Sequence, residues 1–328
     1  MAVYTQLGAE TMAGIIAEFD VGTLVSAKGI AEGVSNSNWL IETANDKGES
    51  NRFILTMYES RLEADDLPFF LGLLDHLAAC GCPVPRTIHD RQNRPFRFHE
   101  GKALALIEFL PGVSVSDPTP AQSRAVGVAL AQVHLSVAGF DSTRKNCMGP
   151  GAWRDLLESC GANGLRAIHP DLPDIVEREM DYLATSWPEN LPHSVIHADL
   201  FPDNVLMLGD DVSGLIDFYF ACNDITAYDV AVTHAAWCFG DDGARFDAGI
   251  SRSLIEGYES KRPLSQKERS ALPILARGAS MRFIATRAYD WLNTPKDALV
   301  TPKDPMAFAR RLEFYSDRAN AAAFDRTR

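Results

Sequence analysis

The sequence predicts an α+β chain in two parts. A small antiparallel sheet is expected in residues 1–110 and a larger, mainly helical region in residues 111–328. Two observations carry this. From Val21 to Leu110, short apolar runs with strand-like alternation are separated by turn-forming residues. After Pro111-Gly112 the apolar spacing changes to that of helices. A chain of 328 residues is long enough to bury a core in each part.

Residues 1–20 read as a short amphipathic helix with Met12, Ile15, Ile16 and Phe19 on one face. Strands at Trp39–Thr43 and Arg52–Tyr58 flank the turn residues Asn45-Asp46-Lys47-Gly48. A second hairpin pairs Pro95–Phe98 with Ala103–Ile107 across His99-Glu100-Gly101-Lys102. Between the hairpins, Leu67, Phe70, Leu71, Leu74 and Leu77 have helical spacing, and Gly81 and Pro83 end that helix. Beyond Gly112, helices are expected at 119–137, 173–186, 226–238, 247–260, 266–291 and 305–322, with strand-like segments at 194–196 and 215–216.

Composition narrows the function classes. The net charge is −13 and no basic run offers a nucleic-acid surface. No stretch of about 18 apolar residues could span a membrane, and the first residues lack a basic-then-apolar leader. The six cysteines form no C-x-x-C pair and several sit in apolar runs, which predicts buried thiols in a reducing cytoplasm. Oligomeric state is not written in these features.

The most informative stretch is His197-Ala198-Asp199-Leu200-Phe201-Pro202-Asp203-Asn204, followed by Leu215-Ile216-Asp217-Phe218. H-x-D-x-x-x-x-N ahead of a strand ending in Asp-Phe is the arrangement that phosphotransferases of the kinase type use. Asp199 is the candidate to orient the acceptor hydroxyl and take its proton. Asn204 and Asp217 are candidate ligands of Mg²⁺, which prefers hard oxygens and nucleotide phosphates. His197 is expected to brace the loop rather than act as a base. With the motif in the second part, the layout is that of a bilobal protein kinase-like fold, a nucleotide-binding lobe at 1–110 and a catalytic and substrate-binding lobe at 111–328.

The candidate phosphate-covering loop is Lys28 to Asn38, where Gly33 permits close backbone approach and Ser35, Asn36 and Asn38 offer polar groups. Ile107-Glu108-Phe109-Leu110 lies where the two parts join, and the backbone at Glu108 and Leu110 is the candidate partner of an adenine edge. Kinases carry a Lys on the third strand; here Thr56 takes that position. Either another cation such as Lys28 serves, or the metal and loop amides suffice.

On these stretches, with Asp224–Asp229, Ala236–Phe239 and Arg282–Trp291, the chain resembles the homoserine kinases of the aminoglycoside phosphotransferase-like, choline kinase-like superfamily over nearly its whole length. The resemblance implies ATP- and Mg²⁺-dependent phosphorylation of the L-homoserine hydroxyl in threonine biosynthesis, and treats Thr56 as the family's own pattern. His234 stands where that resemblance expects Asn. Residue spacing alone reaches only a phosphotransferase acting on a small hydroxylated molecule. Choline, an aminoglycoside or another alcohol as acceptor, and a nucleotide-binding scaffold without turnover, are the alternatives.

A zwitterionic acceptor needs a partner for its carboxylate and one for its ammonium. Arg is suited to bidentate carboxylate binding, and Arg282, Arg287 and Arg144 are candidates. Tyr219 and Asp224, just after the metal strand, are expected on the acceptor side.

Overall fold

The computed structural model describes residues 7–30, 36–59, 64–295 and 301–325. The chain divides into two compact units, Met1–Pro111 and Gly112–Arg328.

In the first unit, α1 (Ala9–Ile16) precedes an antiparallel sheet of β1 (Thr23–Ile30), β2 (Asn36–Ala44), β3 (Ser50–Tyr58), β4 (Thr87–Ile88), β5 (Arg97–His99) and β6 (Lys102–Glu108). Strand order is β1-β2-β3-β6-β4, with β5 paired to β6. Apolar alternation decides which face α1 covers. Met12, Ile15, Ile16 and Phe19 bury against Trp39, Ile41, Leu55, Met57, Leu104 and Leu106, all from one face of the pleat. The first hairpin turns on Asn45, whose side-chain oxygen accepts the N–H groups of Lys47 and Glu49 (3.0 and 2.9 Å). The second turns on Glu100 and Gly101, both with positive φ. Helix α2 (Leu67–Ala79) ends before Gly81 at φ 76°.

The second unit holds α3 (Pro120–Ser136), α4 (Pro150–Ile168), α5 (Leu172–Ser186), β7 (His193–Ile196), β8 (Val205–Leu208), β9 (Asp211–Leu215), β10 (Cys222–Ile225), α6 (Thr226–Trp237), α7 (Ala248–Glu259), α8 (Gln266–Asn293) and α9 (Met306–Ser316). Every residue of α6 is buried, so this helix is the centre of the unit. Helices α3 and α7 approach backbone to backbone at Gly127 and Gly257; a Cβ at either would sit 2.1 Å from a carbonyl oxygen of the other helix. Strands β8 and β9 form a hairpin, and β10 pairs with β7. These two short pairs carry the H-x-D loop on one side and Asp217 on the other. Among the described residues no helix is long and apolar enough to cross a membrane, and all six cysteines are free.

The short strands β4, β8 and β10 have no counterpart in the sequence expectation, and two helical segments depart from it. Helix α4 has no counterpart in it, because the helix buries only Trp153, Leu157 and Leu165 and is interrupted by Gly161 at φ 64°. The expected helix 305–322 stops at Ser316, where Asp317 turns extended and its side chain accepts the Ala319 N–H of a following 3₁₀ segment, Arg318–Phe324.

Candidate active site

The H-x-D loop leaves β7 and immediately turns through Ala198, whose φ is +64°, a conformation that costs a non-glycine residue about 1–2 kcal/mol. Two side chains hold it there. The Asp229 carboxylate, from the first turn of α6, accepts the N–H of His197 and of Ala198, each at 2.7 Å. The guanidinium of Arg282, from α8, donates to the Ala198 carbonyl. Asp229 is fully buried; burial opposes its charge, but the His134 contact and the two backbone N–H bonds hold its carboxyl below the usual range.

Asp229 starts a longer relay. His134 Nε2 lies 3.0 Å from it and His134 Nδ1 lies 2.8 Å from the Tyr258 hydroxyl. A carboxylate can only accept, so Nε2 carries the proton and the Tyr258 hydroxyl donates to Nδ1. Tyr258 accepts from Arg262, Arg262 donates to Glu268, and Glu268 closes the capping box of Ser265 that starts α8. The catalytic loop is thus tied to α3, α6, α7 and the start of α8.

His197 uses both ring nitrogens within the loop. Nε2 donates to the Ile216 carbonyl (3.0 Å) and Nδ1 accepts the Asp199 N–H (3.2 Å). Burial pushes its pKa down, which suits this neutral, bracing role. The structure thus gives His197 the bracing position expected of it, with both ring nitrogens engaged.

Asp199, Asn204 and Asp217 converge. Asn204 donates through Nδ2 to the Asp199 backbone carbonyl (2.8 Å), and its own backbone carbonyl accepts the Ile216 N–H (3.0 Å), which leads into Asp217. Asp217 also has a left-handed backbone, φ 63° and ψ 55°. Its side chain retains solvent contact, yet loss of hydration and the neighbouring charges of Asp199 and Asp203 push its carboxyl up to about 7. Asp199 is raised by burial, opposed by the charges of Arg282 (Nη2 to Oδ1 3.6 Å) and Lys303. Carboxylates crowded in this way with an amide oxygen beside them are a donor set for a hard divalent cation. Among the described residues no three His, Cys, Asp or Glu side chains close on one point.

The acceptor-side candidates separate into two groups. Arg144 lies along β10, its N–H donating to Asn223 Oδ1 (2.8 Å) and its guanidinium to the Ala221 carbonyl (3.3 Å). Asp224 beside it accepts from Asn146 (2.5 Å). Tyr219 lies in the turn after Asp217, and its N–H bonds the Asp217 carboxylate. Arg282 is only 2% exposed; its guanidinium donates to the Ala198 carbonyl and lies 3.6 Å from Asp199, contacts that position the loop, while its Nε has no partner among the described residues. Arg287 stands apart, donating to the Asp304 carbonyl (3.1 Å) and stacked on Phe308.

In the first unit, Gly33 and Ser35 lie outside the described residues. Asn38 and Thr56 face each other across β2 and β3, and the Thr56 hydroxyl donates to Asn38 Oδ1 (2.8 Å). Asn36 is buried with its side-chain oxygen unpartnered among the described residues. Pleat alternation puts Lys28, opposite Leu40, on the same face as Asn38 and Thr56. Lys102, paired with Glu59, belongs to the α1-covered face of Met57 and Leu104. Glu108 ends β6; its N–H is taken by the Arg86 carbonyl (2.9 Å) and its carboxylate by the Arg86 guanidinium in two 3.1 Å bonds. Its side chain thus fixes the strand end. Leu110 follows, half-buried.

Sequence reasoning missed the roles of Asp229 and His134, and the burial of Arg311. Each is a polar residue on the apolar face of a helix, and that misplacement was the available signal: Arg311 lies between Phe308 and Tyr315 on the buried side of α9.

Comparison with known proteins agrees with this geometry. Residues 26–264 match the model of the phosphotransferase enzyme family. A homoserine kinase of Azorhizobium caulinodans is 50% identical over 99% of this chain and 98% of its own, and one of Rhizobium rhizogenes is 48% identical over 99% of each. Among solved structures, spectinomycin phosphotransferase APH(9)-Ia in complex with ADP and spectinomycin aligns with a TM-score of 0.69 at 14% identity, covering 98% of this chain and 99% of that one. An aminoglycoside phosphotransferase of Alicyclobacillus acidocaldarius aligns at 0.68 with 18% identity, over 98% and 96%. The fold is the kinase-like fold of these enzymes, with its antiparallel sheet in the first unit and its helices in the second. The chain belongs to the phosphotransferase enzyme family and, within it, to the homoserine kinases.

Proposed function

We propose that the chain transfers the γ-phosphoryl group of ATP to the side-chain hydroxyl of L-homoserine, giving O-phospho-L-homoserine for threonine synthesis in the cytoplasm. The single observation that carries this reading is near-full-length identity of 50% to a homoserine kinase, on a chain whose Asp199, Asn204 and Asp217 converge. Asp199 receives the acceptor hydroxyl and accepts its proton; burial and nearby acids keep this carboxylate more basic than an ordinary one. Asn204 and Asp217 would hold Mg²⁺. When bound, that ion offsets the charge gathering on the phosphate oxygens. Arg282 and Asp229 keep the Ala198 turn, and therefore Asp199, in place.

The 1–110 lobe binds the nucleotide in this reading, and the 111–328 lobe holds the catalytic loop and the acceptor. Asn36, Asn38 and Thr56 face the nucleotide, the sequence pattern alone assigns Gly33 and Ser35 to the same task, and the backbone at Glu108 and Leu110 meets adenine. Lys28, on the Thr56 face of the sheet, supplies the cation that the third strand lacks. Tyr219 and Asp224 line the acceptor side, Asp224 as a counter-charge for an ammonium group.

The test is product identity. Purified protein incubated with ATP, Mg²⁺ and L-homoserine should give a phosphomonoester on the side-chain oxygen by phosphorus NMR and mass spectrometry. ATP consumed with no phosphorylated homoserine would overturn the assignment.

A further inference from the structure

Helix α9 buries an arginine against aromatic rings that adjoin the catalytic loop, and two of its donor nitrogens have no partner among the described residues. Arg311 is 4% exposed. Its Nη2 donates to the Gly240 carbonyl (3.1 Å), but Nε and Nη1 have no hydrogen-bond partner among the described residues. Its guanidinium carbon lies 4.3 Å from the centre of the Phe308 ring, and that of Arg287 lies 4.5 Å from the same ring. Arg287 spends one bond on the Asp304 carbonyl and remains half-exposed.

Two guanidinium groups gathered on one ring repel each other, and desolvation makes the repulsion worse. Burial lowers the pKa of both and Arg311 adds to the lowering at Arg287, to about 10, opposed at Arg287 by Asp304, Asp199 and Asp203 and at Arg311 by Tyr315, Asp241 and Asp242. Such a pair is stabilised by an anion, and a carboxylate with two acceptor oxygens matches guanidinium geometry. The ring adjoins the catalytic loop. Phe201, two residues after Asp199, packs edge-on against Phe283 at 4.8 Å, and Phe283 lies 4.7 Å from Phe308. Arg287 is also close enough to feel the charges of Asp199 and Asp203. An amino acid that places its hydroxyl at Asp199 carries its carboxylate only a few bonds away.

We infer that Arg287 and Arg311, converging on Phe308, form the subsite that receives the α-carboxylate of the acceptor. The inference rests on the proposed amino-acid kinase reading. It makes Arg287 the outer, solvent-reachable contact and Arg311 the buried one whose open donors the carboxylate completes. It also explains how the enzyme would reject alcohols that lack a carboxylate.

The experiment compares wild type with Arg287→Gln and Arg311→Gln, using L-homoserine and its decarboxylated analogue 3-aminopropan-1-ol as acceptors. Each substitution should raise the KM for L-homoserine by about 10- to 100-fold. The loss of kcat/KM should be larger for L-homoserine than for 3-aminopropan-1-ol and should spare the KM for ATP, so discrimination between the two acceptors falls. Arg311→Lys, which keeps the charge but not the fork, should fall between wild type and Arg311→Gln, and it serves if the Gln variant does not fold. Thermal shift gives a second readout: L-homoserine should raise the Tm of wild type and not that of Arg287→Gln. Unchanged homoserine KM in Arg287→Gln and in a folded Arg311 variant, with wild type active on L-homoserine, would overturn the subsite while leaving the functional reading intact. A wild type that does not phosphorylate L-homoserine would retire that reading and the carboxylate assignment with it.

Discussion

Ala198 shows how closely the local backbone is tied to the chemistry. Its left-handed turn aims Asp199 away from β7, and Asp229 and Arg282 hold the turn from both peptide faces. Gly at this position should be tolerated, because it carries no side-chain penalty in that region. Ala198→Val should lose about 1–3 kcal/mol of stability and most of its turnover, read by urea unfolding and kcat. At Asp199 the expectation is chemical rather than structural. Asp199→Asn should lower kcat by about 10²- to 10⁴-fold with nucleotide affinity retained; loss of both together would contradict its role as proton acceptor. Asp199, Asn204 and Asp217 were legible in the sequence because one short loop and one strand end fix their spacing. Asp229 and Arg282 were not legible as its supports. Their contacts span 31 and 84 residues of chain, and only the packing of α6 and α8 on the loop reveals them.

At the scale of elements, close approach and burial decide outcomes that local propensity would misjudge. Glycine inside an exposed helix costs about 1 kcal/mol relative to alanine. Gly127→Ala should nevertheless destabilise the protein, by about 1–3 kcal/mol, because the new Cβ would meet the Leu254 carbonyl of α7 at 2.1 Å. A gain in denaturation midpoint would contradict that packing. In α6, His234 is fully buried between the Tyr315 hydroxyl (2.6 Å) and Ser251 Oγ (2.8 Å), and Ser251 in turn donates to the Ala323 carbonyl. This explains a histidine where the family resemblance expected asparagine: it ties α6 to α7, α9 and the segment that follows. Burial pushes its pKa down to about 3, from 6.5 when exposed. Between those values the unfolded chain binds a proton that the folded one excludes. Its contribution is therefore fully present above pH 6.5 and is lost as pH falls toward 3, by about 2 kcal/mol at pH 5. His234→Asn should flatten the fall in Tm between pH 7 and pH 5; an equally steep fall would assign the acid sensitivity to other groups. The strong periodicities of α3, α6, α7 and α8 could be read from sequence nearly to their ends. Helix α4 could not, because three buried side chains and an interrupting glycine leave little periodic signal.

For the whole molecule, the residues that face nucleotide in this reading belong to the first unit and those that face acceptor to the second. The substrate class follows from family membership at 47–50% identity. The β-to-helix change near Pro111 was visible in the spacing of apolar residues, since the two periods differ. Arg287 was already a candidate carboxylate partner in the sequence; Arg311 was not, because it meets the Phe308 ring beside Arg287 only through the packing of α9 on α8. The most direct measurement is acceptor-dependent ADP release with ATP and Mg²⁺, comparing L-homoserine with L-serine, choline, an aminoglycoside and no acceptor, and with Asp199→Asn as the blank. Release that requires L-homoserine and vanishes in Asp199→Asn is the predicted result. Release driven by another acceptor, or undiminished in Asp199→Asn, would contradict the account.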